Sequence, residues 1–112
     1  MRKIVIIGAA SSSFSDILQE MITFPGLDGA ELALVDIDAE GLEIMTKLGQ
    51  RMCKEWGKKT TVVGTTDRTE VLAGADFVLT LIAAGGVTTW RQDEEIPAKH
   101  GFFGCSVDTI GP

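Results

Sequence analysis

"KIVIIGAASSSFSD", Lys3 to Asp16, decides the fold of this chain. The run from Lys3 to Ile7 is continuous and β-branched, as in a strand buried on both faces of a parallel sheet. It enters a turn at Gly8, and Phe14, Ile17, Leu18, Met21 and Ile22 then recur at helical spacing. Ser12 or Ser13 stands as the N-cap, and Pro25-Gly26 stops the helix. A strand, a glycine turn and a helix in this order open a dinucleotide-binding unit, in which three glycines have separate tasks. The first permits the tight turn, the second lets the backbone approach a pyrophosphate, and the third lets helix and strand pack closely. Gly8 fills the first role; Ala10 and Ser13 occupy the other two. Ala10 adds a methyl where phosphates come close, so Ala10→Gly is expected to tighten a bound dinucleotide. Ser11, Ser12 and Ser13 offset that loss, because hydroxyls and a helix N-terminus favour phosphate oxygens. By itself the stretch equally describes an ordinary strand-turn-helix.

Outward from this stretch the same alternation repeats. "AELALVD", Ala30 to Asp36, reads as a second strand, and a long helix follows from Asp38 to about Gly57. Its apolar stripe is Leu42, Met45, Leu48, Met52 and Trp56, with Cys53 as core. "TTVVGTT", Thr60 to Thr66, is a third strand, "TEVLAG" a helical turn, and "ADFVLTLIA", Ala75 to Ala83, a fourth strand. After Gly85-Gly86 the chain turns polar and helical through "RQDEEIPAKHG". The expected architecture is α/β: a doubly wound, Rossmann-like parallel sheet of four or more strands. Residues 1–112 are expected to form one nucleotide-binding domain, the first half of a larger one, with an open edge beside the fourth strand.

Asp36 closes the second strand, where an acidic side chain accepts both adenosine ribose hydroxyls and repels a 2′-phosphate. This selects NAD over NADP. Asp36 or Asp38 also suits the cap of the following helix; one suffices as cap, leaving the other for the ribose. Gly85-Gly86 closes the fourth strand, either beside the nicotinamide or as loop punctuation.

Composition narrows the partners. Ten basic and sixteen acidic side chains leave a net charge of −6, which disfavours nucleic acid and anionic membranes. Cys53 and Cys105 form no CxxC pair, so neither a disulfide framework nor a zinc knuckle is indicated. The apolar start is too short for a span and runs into an amphipathic helix, so a cytoplasmic protein is expected. His100 reads as a basic side chain at a helix end, and Asp93-Glu94-Glu95 as a first-turn acidic run on a helix dipole. Trp56 reads as packing; Trp90 stays open as a sugar platform.

The ordered series of motifs resembles glycoside hydrolase family 4, the NAD- and metal-dependent glycosidases. It comprises "GAAS" (Gly8 to Ser11), "DID" (Asp36 to Asp38), "TTDR" (Thr65 to Arg68) and "ADFV" (Ala75 to Val78). Gly85-Gly86, "DEEIPAKHG" (Asp93 to Gly101) and the closing "DTIGP" (Asp108 to Pro112) complete it. The last is similar to the α-galactosidase branch. The resemblance implies an NAD site at Gly8, Ala10, Ser11, Ser12, Asp36, Asp38, Asp67, Gly85 and Gly86. It implies substrate contacts at Arg91, Asp108 and Thr109. Where the family's phospho-glycosidases carry a phosphate-binding arginine, Trp90 stands here beside Arg91, which agrees with an unphosphorylated α-galactoside, α-glucoside or uronide.

The chemistry implied is transient oxidation at C3 by NAD, loss of the C2 proton to a base with a divalent metal (manganese) on the sugar oxygens, and departure of the aglycone. Water then adds and hydride returns; the cofactor carries the hydride chemistry while protein positions it. The family's metal ligands and catalytic base match no residue here, so no catalytic or metal residue is expected within 1–112, and the segment alone is expected to be inactive. The expected partners are a small glycoside and, in the longer protein, further copies of itself. A hydroxy-acid dehydrogenase or a non-catalytic dinucleotide-binding module shares the strand order and Asp36, but neither is expected to carry "DEEIPAKHG" or "DTIGP".

Overall fold

The computed structural model describes residues 1–103. They fall into two units, Met1–Ile82 and the residues from Ala83 onward. In the first, strands β1 (Lys3–Ile7), β2 (Glu31–Val35), β3 (Thr61–Thr65) and β4 (Phe77–Thr80) form one sheet in the order β3-β2-β1-β4. Every pairing is parallel. Helices α1 (Phe14–Thr23), α2 (Ala39–Glu55) and the short α3 (Thr69–Leu72) connect them. The expected doubly wound sheet is therefore present.

Alternation along the strands divides the core in two. Ile4, Ile6, Leu32, Leu34 and Val62 face Phe14, Leu18 and Ile22 of α1 and Leu42, Met45 and Cys53 of α2. Phe14, Leu18 and Ile22 are fully buried at four-residue spacing, each contributing roughly 2 kcal/mol. The opposite face buries Val5, Ala33 and Val35 under Val71, Leu72 and Ala75, from α3 and its flank. Gly49 of α2 lets helix and sheet approach: a Cβ there would lie 3.1 Å from Val62 and 3.3 Å from Leu18.

Three expectations need correction. The fourth strand spans only Phe77–Thr80, and all four residues are exposed, Phe77 by 61%. Its span is shorter than the expected 75–83, while the open edge expected beside it is present among the described residues. Trp56 is the C-cap of α2 and 43% exposed: Leu42, Met45 and Cys53 are buried and Leu48 and Met52 pack against them, but the stripe ends before Trp56. In the second unit, helix α4 spans Gly86–Lys99 with Gly85 as N-cap, so Asp93-Glu94-Glu95 lies in mid-helix and not in its first turn. Pro97 sits within this helix and His100 is its C-cap. No helix among the described residues is long and apolar enough to cross a membrane.

Candidate functional site

Strand register brings the loops together. Ile7 pairs with both Val35 and Thr80, and Val35 with Thr65, so all four strands end in one row. The chain leaves β1 toward β2 and β3, then returns to the other side of β1 for β4. The crevice at the carboxyl ends of β1 and β4 is thus the switch point at which ligands bind in open parallel sheets. The loop Gly8–Ser13 stands there.

Gly8 is required twice over. Its φ is +96°, and a Cβ would collide with the backbone carbonyl of Leu81. The N–H groups of Gly8 and Ala9 both donate to the Val35 carbonyl, at 2.8 and 3.1 Å. These bonds anchor the loop to the end of β2. No side chain caps α1: Ser13 occupies the N-cap position, but its hydroxyl meets that of Ser11 at 3.0 Å. The Phe14 N–H donates to the Ser11 carbonyl at 2.9 Å; the first-turn N–H groups after it have no intrahelical acceptor, and without a side-chain cap such groups favour an anion. Ser12 and Ser13 are exposed beside them.

Of Asp36 and Asp38, one is the cap of the following helix, as expected. Asp38 caps α2, its Oδ1 accepting the Gly41 N–H at 3.1 Å. Asp36 is not a cap, yet it is not idle either. Its Oδ2 accepts the Ala10 N–H at 2.8 Å and its Oδ1 the Asp38 N–H at 3.0 Å. A carboxylate offers about four acceptor positions, so two remain for hydroxyls. The half-buried Asp36 therefore fixes the loop after β1 and presents a charge at the neighbouring strand end.

Asp67 follows β3, and its Oδ1 accepts the Thr69 hydroxyl at 2.7 Å and the Thr69 N–H at 2.9 Å. These bonds from Thr69, with Arg68 adjoining, hold its carboxyl below its ordinary value of 3.8. That oxygen is committed to starting α3. Gly85 and Gly86 open α4 with φ of +79° and +57°, and Arg91 is exposed on that helix. Asp108 and Thr109, like Cys105, lie outside the described residues. Burial pushes the Cys53 thiol above its ordinary 9.0, with Asp28 adding to it, as suits a core side chain. Among the described residues no three His, Cys, Asp or Glu side chains converge on a possible metal position.

One loop neighbour escaped the sequence reading. Gly41, in the first turn of α2, faces Ala10: a Cβ there would come within 3.0 Å of the Ala10 methyl. Its signal was a glycine inside a helical pattern, which costs about 1 kcal/mol relative to alanine and asks for a packing reason.

Comparison with known proteins gives a consistent result. The chain is 33% identical over 109 residues to an alpha-galactosidase of Rhizobium meliloti, covering 96% of this chain and 22% of that one. It is 36% identical over 112 residues to a 6-phospho-beta-glucosidase of Escherichia coli, covering 97% and 25%. Among solved structures, a 6-phospho-alpha-glucosidase from gut microorganisms, in complex with NAD and Mn2+, matches with a TM-score of 0.69 at 26% identity, covering 93% of this chain and 24% of that one. The chain thus spans about a quarter of the length of these relatives. A family model described as family 4 glycosyl hydrolase matches residues 3–112, nearly the whole sequence, and the chain belongs to that family.

Proposed function

We propose that this chain is the NAD-holding part of a glycosidase that cleaves unphosphorylated α-glycosides by transient oxidation at C3 and elimination across C1 and C2. The observation that carries the reading is the pairing of loop and carboxylate at the switch point: Ala10 N–H on Asp36 Oδ2, 2.8 Å, beside a Gly8 turn that excludes a Cβ. These residues fit a dinucleotide. The uncapped start of α1, with Ser11 and Ser12, suits the pyrophosphate, and the free acceptor positions of Asp36 suit the ribose hydroxyls. Asp36 repels a 2′-phosphate, which favours NAD. Asp38 supports this indirectly by starting α2, and Asp67 by ordering the end of β3; Gly85 and Gly86 are proposed to border the nicotinamide half. NAD, when bound, supplies reversible hydride acceptance. The described residues offer no donor set for manganese, so no step through the metal is derived from them.

Arg91, Asp108 and Thr109 are proposed to contact the sugar, with the enzyme cytoplasmic and self-associating. The segment by itself is proposed to be inactive. A second reading, a phosphorylated β-glucoside as substrate, is supported by the 36% identity to the Escherichia coli relative. The test is to run a longer protein containing this chain on both substrates in heavy water. Deuterium at C2 of the released sugar, lost together with activity when NAD is stripped, is expected. Cleavage without NAD that leaves C2 unlabelled refutes the route.

A further inference from the structure

Ala10 stands where a glycine is expected to let phosphates close in, and the direction of its methyl decides what that exchange means. A Cβ built on Gly41 would lie 3.0 Å from the Ala10 Cβ and 2.5 Å from Asp38 Oδ2. The methyl therefore points at the first turn of α2 and fills space that a side chain at position 41 would take. One hydrogen-bonded circuit joins the two residues. Ala10 N–H donates to Asp36 Oδ2 at 2.8 Å, Asp38 N–H to Asp36 Oδ1 at 3.0 Å, and Gly41 N–H to Asp38 Oδ1 at 3.1 Å. A methyl on Gly41 must displace either the capping carboxylate or Ala10. Displacing Ala10 pulls its N–H off Asp36.

We infer that Gly41 is a positioning residue for the loop: the glycine absent at position 10 is compensated across the site, from α2. By leaving room for the Ala10 methyl, Gly41 keeps that methyl off the phosphate side and keeps the Ala10 N–H on Asp36. The consequence for affinity rests on the NAD reading above; the loop geometry does not. Gly49 provides the contrast. Its missing side chain makes room for Val62 and Leu18 in the core, away from the loop.

The test compares Gly41→Ala, Ala10→Gly, the double variant and Gly49→Ala in the purified chain. Two readouts are taken: hydrogen exchange of the residue 10 amide without cofactor, and the NAD dissociation constant by calorimetry. Gly41→Ala is expected to speed exchange at residue 10 and raise the NAD Kd, each about tenfold, the scale of one modest hydrogen bond. The double variant should bring both part of the way back, since removing the Ala10 methyl relieves the 3.0 Å contact while the 2.5 Å contact with Asp38 Oδ2 remains. Ala10→Gly alone should change Kd by less than about threefold, against the tightening expected from sequence, because its methyl lies against α2. Gly49→Ala should leave both readouts in place even if it lowers stability.

Unchanged exchange in Gly41→Ala, or no rescue in the double variant, overturns the inference. So does a tenfold or greater tightening in Ala10→Gly, which remains measurable even if Gly41→Ala does not fold. Exchange that responds and is rescued in a chain that binds no NAD supports the loop assignment and refutes the NAD reading instead.

Discussion

Replacing Asp36 by alanine is expected to loosen the loop and blunt cofactor choice together, because the carboxylate that holds the loop is the one proposed to take the ribose. Its two oxygens accept the Ala10 and Asp38 N–H groups at 2.8 and 3.0 Å. Bonds to a charged acceptor contribute about 1.5–3 kcal/mol each when buried. Asp36 is half-buried and water can reach the freed N–H groups, so about 1 kcal/mol each is the appropriate figure, or about 2 kcal/mol in sum. For a domain of this size that lowers Tm by roughly 8–16 °C. Binding suffers further, since the ribose loses its charged acceptor and the loop its anchor: NAD should weaken by about a hundredfold, near 2.7 kcal/mol. NADP should change by less than about tenfold, because the loss of contacts is offset by removal of the carboxylate that repels its 2′-phosphate. Thermal unfolding without ligand and calorimetric titration with both dinucleotides measure the two effects separately. Native Tm together with an unaltered NAD-to-NADP ratio would refute the reasoning. A lowered Tm with an unaltered ratio would leave Asp36 a structural clamp only.

Gly8→Ala should destabilise by about 3 kcal/mol, combining left-handed strain with displacement of the Leu81 backbone. Gly29→Ala, at φ +87° with nothing near the added Cβ, should cost only about 1–2 kcal/mol; equal urea midpoints for the two would contradict the close approach of β4 to the loop. Stability should also fall as pH rises above about 9, because Cys53 has a raised thiol pKa in the fold and the unfolded chain releases that proton first. Cys53→Ala should remove this alkaline slope; a slope that persists unchanged in the variant would assign it to other groups.

The strands and helices around Gly8 were legible from local order alone, because hydrophobic period is a property of neighbours along the chain. A buried β-branched run must sit in a sheet, and residues four apart must share a helix face. The same holds for Asp38 as the cap of α2: a helix start is a local event, and one cap is enough for one helix. In one place where local letters misled, a distant element was responsible. The strand expected over "ADFVLTLIA" shortens to Phe77–Thr80, because its length is set by pairing with β1, while its place at an open edge is as expected. Trp56 lies on the expected stripe, but it stands after the last helical residue, Glu55, as the C-cap, and is exposed there.

The candidate site follows the same division. Residue types at 8, 36 and 38 already carried the chemistry of a tight turn and a carboxylate. That Asp36 also clamps Ala10 required two strands to pair in register, residue 7 against residue 35. The Ala10 methyl shows the limit most clearly. Sequence sets the added carbon against the phosphates and expects Ala10→Gly to tighten binding; whether it meets phosphate or α2 depends on which way a Cβ points in the folded turn. Gly41, thirty-one positions along the chain, receives it, and no local pattern joins two residues that only the packing of a helix start against a loop brings together.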